Sequence, residues 1–114
     1  MPSHKIARIS SELVRVISEI LYEDARDEIL KTITITGAKV SSDLSYAKVY
    51  FTSLSDKEQK ELEKEVNEAS SFIRTIVAEK MDMRHTPELE FVYDTSIEYA
   101  NRIENIIKEI HQND

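Results

Sequence analysis

Residues 65–80, EVNEASSFIRTIVAEK, combine helix-forming flanks with three adjacent small residues, Ala69, Ser70 and Ser71. Through this segment, apolar side chains recur at steps of three and four residues, at Leu62, Val66, Ala69, Ile73, Ile76 and Val77. This spacing is typical of one face of a helix, and it predicts a single continuous helix across the small residues.

The small residues also permit other interpretations of the same stretch. Serine hydroxyls and backbone amides freed at a joint between two helices can bond phosphate oxygens, and Arg74 follows closely. Small side chains are equally common where a neighbouring helix packs tightly. The residues themselves leave a ligand-binding joint and a helix–helix contact equally open.

The sequence before this stretch predicts a helix and a β-hairpin. Residues 4–22 place apolar side chains at helical steps. In TITITGAKV (32–40) isoleucine alternates with threonine, the pattern of a half-buried strand, and Gly37 is expected to allow a bulge or a close approach. YAKVYF (46–51) alternates again after a polar turn, so the two strands are expected to pair as a hairpin.

Turn and cap signals divide the rest of the chain into a helical segment, a strand and a last helix. SDKE (55–58) is a capping box expected to begin the helical segment, and the Thr-Pro pair at 86–87 ends it. ELEFVYD (88–94) predicts a third strand with alternate residues inward, at Leu89, Phe91 and Tyr93. A second capping box, TSIE (95–98), begins a last helix with an apolar stripe at Ile97, Ala100, Ile103, Ile106, Ile107 and Ile110.

Each predicted strand has one apolar face, which helices packed on that side would bury. The sequence therefore predicts a single α+β domain over residues 1–114, with helices on one face of a three-stranded sheet. The opposite face would carry polar residues and tyrosines: Thr34, Tyr46, Lys48, Tyr50 and Glu90. Tyr46, Lys48 and Tyr50 could stack single-stranded bases, although ordinary cross-strand pairing on a solvated face is the favoured interpretation.

Composition argues against most catalytic and metal sites. The chain has no cysteine and one glycine, which excludes thiolate sites and glycine-rich phosphate loops, and its three histidines are scattered. The carboxylates Asp24, Asp27 and Glu28 lie in a charged run more typical of a solvated turn. No run approaches the roughly 18 apolar residues of a membrane helix, and no signal peptide pattern is present. We therefore expect a cytoplasmic protein without catalytic activity, metal or cofactor.

The net charge of −7 argues at first against nucleic acid, but the acids are segregated. Residues 23–28 carry four acids against one base, and residues 56–68 carry six against three. Residues 1–22 and 70–87 each carry three bases against two acids. The distribution leaves room for a local phosphate-binding face.

Four stretches together resemble the bacterial ribosome-binding factor A family. They are SEILYED, SSDLSYAKVYFT, ASSFIRTIVAEKMDMRHTPELEF and DTSIEYANRI. The resemblance covers about residues 8–107, and its most specific part is the ordered series F-I-R, R-x-T-P-E-L-x-F and D-x-S. It implies a KH-like domain of the second type, with the order helix, strand, strand, helix, kink, helix, strand, plus a C-terminal helix.

In this family an interhelical kink of small residues stands in place of the Gly-x-x-Gly loop of ordinary KH domains. The matching residues are Ala69, Ser70 and Ser71, and many members have glycine where this chain has Ser71. Glycine tolerates more backbone conformations than serine does, so we expect Ser71 to affect how sharply the chain kinks. The resemblance leads us to expect that the backbone angles of Ser70 and Ser71 leave the helical region.

The resemblance also implies a function without catalysis. Such proteins bind the immature small (30S) ribosomal subunit near the 5′-terminal helix of its 16S rRNA, aid late maturation and 5′-end processing, and matter most in the cold. We expect a monomer with no membrane or small-molecule partner. The expected RNA-binding residues are Lys5, Arg8, Ala69, Ser70, Ser71, Arg74, Lys80 and Arg84. Arg74 could instead pair with an acid, and Lys39 and Lys48 are weaker candidates.

An alternative function is a protein–protein interaction module. In that case the isoleucine stripe of the last helix would dock a partner or a second copy. Simple packing of the stripe into the core is the favoured interpretation.

Overall fold

The computed structural model describes residues 4–23, 27–96 and 106. In chain order the elements are α1 (His4–Glu23), α2 (Glu28–Lys31), β1 (Ile33–Val40), β2 (Tyr46–Ser53), α3 (Gln59–Glu68), α4 (Ser70–Lys80) and β3 (Glu88–Tyr93). The sheet has the order β1-β2-β3, with β1 and β2 antiparallel and β2 and β3 parallel. This is the predicted KH-like α+β arrangement of the second type. The predicted C-terminal helix lies outside the described residues.

The core lies between one face of this sheet and the helices α1, α3 and α4. The apolar stripe of α1 is buried as the spacing predicts, at Ile9, Leu13, Val16, Ile17, Ile20 and Leu21. β2 and β3 contribute Ala47, Val49, Phe51, Leu89 and Phe91 from the facing side. Each such large side chain, fully buried, stabilises the fold by about 1.5–3 kcal/mol. Tyr46, Lys48 and Tyr50 lie on the other face, also as predicted.

The alternation of β1 changes phase at its single glycine. Ile33 and Ile35 point inward in the first half of the strand, whereas Val40 is buried in the second. A strand alternates with period two, so this change needs one extra residue. The register supplies it, because Ile35 pairs with Phe51 whereas Gly37 pairs with Tyr50. The bulge predicted at Gly37 is therefore confirmed.

The start of α3 differs from the first predicted capping box. The helix begins at Gln59 and its N-cap residue, Glu58, makes no side-chain capping bond. The Ser55 hydroxyl instead accepts a hydrogen bond from the Lys57 N–H at 3.2 Å. Serine side chains readily bond a backbone amide two residues ahead, and this local turn competes with helix capping.

The helical segment is broken at one residue. α3 ends at Glu68, Ala69 has φ −90° and ψ 0°, and α4 begins at Ser70. The prediction of one continuous helix is therefore wrong, and so is the expectation that Ser70 and Ser71 leave the helical region. The Ala69 N–H donates to the Val66 carbonyl at 3.0 Å, an i to i−3 bond that tightens the last turn of α3.

Candidate nucleic-acid interface

The first turn of α4 presents the two serines beside Arg74. Ser70 is half-buried and Ser71 is exposed. Together with Arg74, they line a small depression whose other wall is Glu88 and Leu89 at the start of β3. The helix break places the N-terminus of α4 here, where aligned peptide dipoles favour negative charge.

Arg74 ties α4 to the loop formed by residues 81–87. Its Nε and Nη2 atoms donate to the Thr86 carbonyl at 3.3 and 2.7 Å. In the part of the chain that the structure describes, Arg74 thus bonds a backbone carbonyl rather than an acid. The contact uses two of the five guanidinium N–H groups, and the exposed side chain keeps the others for a further acceptor.

A groove of about 470 Å³, here termed the α1 groove, lies between the start of α1 and the 81–87 loop. Lys5 and Arg8 line it from α1, and Arg84 and His85 line it from the loop. Its apolar residues are Ile9, Leu44, Met81 and Met83. Arg84 and His85 also line a second depression, the depression beside Arg74, which lies between α4 and Thr86. Arg74 lines both this depression and the one at the serines, so the surface continues from the serines of α4 to the start of α1.

The 41–45 turn shapes one end of the α1 groove. Leu44 has a φ of 62°, which is unusual for a branched apolar residue, and its side chain packs against the core. Asp43 accepts hydrogen bonds from the hydroxyls of Ser41 and Ser45 and from the Ser45 N–H. These bonds, the one from Ser41 above all, lower the pKa of Asp43 to about 2.

Acidic residues line the α1 groove as well as basic ones. Glu12, Asp43 and Asp82 stand among Lys5, Arg8 and Arg84. The surface is therefore mixed in charge, which suits contacts to individual phosphates better than a broad attraction to any polyanion.

Ala69 and Lys80 do not line the depressions that hold the other predicted residues. Ala69 lines a separate groove with Asp27, Glu65 and Glu68. The Lys80 Nζ atom is 3.9 Å from Glu23 Oε2, at the far end of α1 from Lys5 and Arg8. Both side chains are on the surface, so the ion pair contributes little free energy.

His85 is not among the RNA-binding residues predicted from the sequence, because a histidine was expected to matter there only as a metal ligand. His85 lines both the α1 groove and the depression beside Arg74. Its position next to Arg84 in the R-H-T-P stretch is the signal that could have indicated it.

The weaker candidates lie elsewhere. Lys39 and Lys48 are exposed cross-strand partners on the polar face of the sheet, and Lys48 also pairs with Glu90 across the β2–β3 ladder. The isoleucine stripe of the last helix lies outside the described residues except for Ile106, which is half-exposed. None of the helices in the described ranges is long and apolar enough to cross a membrane.

The order of elements, the parallel β3 strand and the break at Ala69 define a KH-like domain of the second type. Within that class, the chain belongs to the ribosome-binding factor A family, whose model matches residues 5–107.

Individual relatives agree with this assignment. The chain is 43% identical to ribosome-binding factor A of Geotalea daltonii over 109 residues, which are 95% of this chain and 86% of the relative. The crystal structure of ribosome-binding factor A from Thermus thermophilus has the same fold, with a TM-score of 0.68 and 24% identity over 77% of this chain and 94% of that one. Coordinates of the Thermus factor fitted into a cryo-EM map of a 30S complex give a TM-score of 0.65 and 23% identity, over 79% and 96% of the two chains.

Proposed function

We propose that this protein is a non-enzymatic assembly factor that binds the immature 30S ribosomal subunit in the cytoplasm. The observation that carries the proposal is the match to the ribosome-binding factor A family over residues 5–107. The placement of the Thermus relative in a 30S complex supports it. In this proposal the protein acts near the 5′-terminal helix of 16S rRNA and promotes late maturation and 5′-end processing.

The RNA contact is proposed to lie on the surface that runs from Ser70 and Ser71 past Arg74 and Arg84 to Lys5 and Arg8, here termed the basic surface. Its support is that neighbouring depressions share lining residues, so that these donors form one continuous track, in which acids of the same depressions stand among them. Guanidinium groups and hydroxyls are the usual donors to phosphate oxygens. The track reads backbone shape rather than base sequence, since phosphate contacts carry no sequence information directly.

Ala69 and Lys80 have indirect parts in this proposal. Ala69 is the residue at which the chain turns, so it orients the serines of α4 without contacting RNA itself. Lys80 adds a peripheral cation that its neighbour Glu23 partly compensates.

Co-sedimentation at several salt concentrations tests the proposal. We expect the protein to sediment with precursor 30S particles more than with mature subunits or assembled ribosomes. Removing one phosphate-binding side chain should reduce the slope of log affinity against log salt by about 0.7–0.9. Arg84→Ala should show this reduction. Lys64→Ala is the matched control, because Lys64 is exposed on α3 and lines none of these three depressions.

Equal binding to precursor and mature particles would contradict the proposed role in maturation. An unchanged salt slope for Arg84→Ala would remove Arg84 from the basic surface while leaving ribosome binding itself intact. Primer extension on 16S rRNA from depleted cells, with and without complementation, tests 5′-end processing separately.

A further inference from the structure

A second groove lies on the other side of the helix break. It has a volume of about 760 Å³, and it runs between α2 and the junction of α3 with α4. We call it the acidic groove. Its lining residues are Asp27, Ile29, Leu30, Glu65, Glu68, Ala69, Phe72 and Ile76.

The apolar part of the acidic groove centres on Phe72. The side chain is 46% exposed, although phenylalanine is large and apolar. Ala69, Ile29 and Ile76 beside it are half-buried and pack against the core from below. An exposed aromatic ring next to a concave apolar floor is a typical anchor point for a partner side chain.

The charged residues that line the acidic groove are acids in the part of the chain that the structure describes. They are Asp27, Glu65 and Glu68, and within the described ranges no lysine or arginine lines the groove with them. The Glu65 Oε1 atom bonds Lys57 Nζ at 2.8 Å, whereas its Oε2 atom is buried and has no hydrogen-bond partner within the described ranges. Phosphate would be repelled from this site, so the groove does not extend the basic surface.

We propose that the acidic groove binds a cationic amphipathic segment of another protein. Apolar side chains of that segment would cover Phe72 and the floor around Ala69, and lysine or arginine side chains would meet Asp27 and Glu68, which are exposed. Charge selects this occupant over the chain's own C-terminal segment, because residues 97–114 carry four acids against two bases. It also disfavours a second copy, since the chain has a net charge of −7.

A synthetic peptide serves as the probe. It is an amphipathic helix with leucine at positions i, i+3, i+4 and i+7 and lysine elsewhere, and its partner is a shuffled isomer in which the leucines share no face. Fluorescence anisotropy with the full-length chain should give saturable binding for the first peptide and much weaker binding for the isomer. Equal binding of both, or of neither, would overturn the proposal.

Variants of the chain locate the binding site. Phe72→Ala and Glu68→Lys should each weaken binding about tenfold or more, as expected for an anchor and its charged neighbour. Glu79→Lys is the matched control, because Glu79 is an exposed acid of α4 that lines the depression beside Arg74 instead. An equal loss for Glu68→Lys and Glu79→Lys would mean that net charge alone attracts the peptide, and would overturn the proposal. Thermal unfolding verifies that each variant is folded.

Two further measurements identify other occupants. The chain has no cysteine, so Asn113→Cys accepts a single nitroxide label. Broadening of the Phe72 resonances by that label before peptide is added would show that the C-terminal segment fills the groove. A short single-stranded RNA that shifts the same resonances would show that RNA does. Either result overturns the proposal, and neither bears on binding through the basic surface.

Discussion

The side-chain amide of Asn67 and the backbone of Phe91 exchange two hydrogen bonds. Asn67 Nδ2 donates to the Phe91 carbonyl at 2.9 Å, and the Phe91 N–H donates to Asn67 Oδ1 at 2.8 Å. Among the described residues β3 is the last strand of the sheet and no strand pairs with its outer edge, and the amide reproduces the paired bonds that such a strand would make. Glu63 Oε2 adds a third bond, from the Tyr93 N–H at 2.9 Å. Helix α3 therefore covers an edge that would otherwise be open to aggregation.

Replacing Asn67 with alanine should be strongly destabilising. The substitution leaves the N–H and C=O groups of Phe91 without these partners, and Phe91 as a whole residue is 1% exposed. We expect the free energy of unfolding, measured by urea denaturation, to fall by about 2–3 kcal/mol. Lys64→Ala on an exposed position of α3 is the control, with an expected change within about 0.5 kcal/mol. Similar losses in both variants would show that the amide does not secure the edge of β3.

Replacing Gly37 with alanine should be tolerated despite the bulge. Gly37 does not have a positive φ, and an added Cβ would have no atom within 4 Å. The alanine restricts the unfolded chain, so the free energy of unfolding should stay unchanged or rise by up to about 1 kcal/mol. Urea denaturation provides the value, and a clear loss of stability would indicate that the bulge itself requires glycine.

Substitutions at Arg74 should separate its charge from its contact with the loop. Arg74→Lys keeps the positive charge but loses the paired donation to the Thr86 carbonyl, whereas Arg74→Ala loses both. If Arg74 contributes a phosphate contact, Arg74→Ala should lower the salt slope of 30S binding by about 0.7–0.9, and Arg74→Lys should keep most of it.

Amide exchange of the 81–87 loop reports the contact instead. It should accelerate to a similar extent in the lysine and alanine variants, because the guanidinium fork is absent from both. If the two variants bind 30S particles equally poorly, the orientation of the loop rather than the charge of residue 74 determines affinity.

Periodicity predicts every long element of the described chain, but it cannot detect the break at Ala69. Val66 and Ile73 are both fully buried on either side of it, so the apolar stripe continues in phase from α3 into α4. A break that keeps the apolar stripe in phase leaves no trace in the spacing, and only the family resemblance indicates it. The resemblance predicts where the break lies, but it assigns the non-helical backbone angles to Ser70 and Ser71. In the structure Ala69 has these angles, in the bridge region of φ and ψ, and this one residue is enough to separate the two helices.

Apolar periodicity also cannot predict short elements or polar contacts between residues that are far apart in the sequence. The charged run before β1 has the composition of a solvated exit, yet residues Glu28–Lys31 form α2, whose N-cap Asp27 bonds the Ile29 N–H at 2.8 Å. A helix of four residues is too short to show periodicity. The pairing of Asn67 with Phe91 joins residues 24 positions apart, and nothing local to an asparagine in a helix indicates a strand edge.

The candidate site shows the same limit. The sequence predicts that Lys5 and Arg8 act with Arg84, and the structure does bring them to one groove. The acids that share that groove come partly from the 41–45 turn, whose position depends on how the hairpin packs. The composition of each segment can therefore indicate a basic region but cannot give the charge of the assembled surface.

The carboxyl group of Asp43 should titrate well below its ordinary range. Hydrogen bonds from Ser41 and Ser45 lower its pKa from 3.8 to about 2. Because the folded state then binds the proton less readily than the unfolded chain does, Asp43 stabilises the hairpin turn fully above pH about 4, and this stabilisation is lost as the pH falls towards 2. An NMR titration of the side-chain carboxyl carbon should give a midpoint near the lower value. Ser41→Ala should raise that midpoint, since the Ser41 hydroxyl is the largest cause of the shift.

Asp94 provides an internal reference in the same spectra. Its pKa is also lowered, by hydrogen bonds from Ser96 and Thr36, which Ser41→Ala leaves in place. The Asp94 midpoint should therefore stay constant while that of Asp43 moves. If Asp43 titrated at its ordinary pKa in the unmodified chain, or if both midpoints rose together in Ser41→Ala, the serine hydroxyls would not be what lowers the pKa of Asp43.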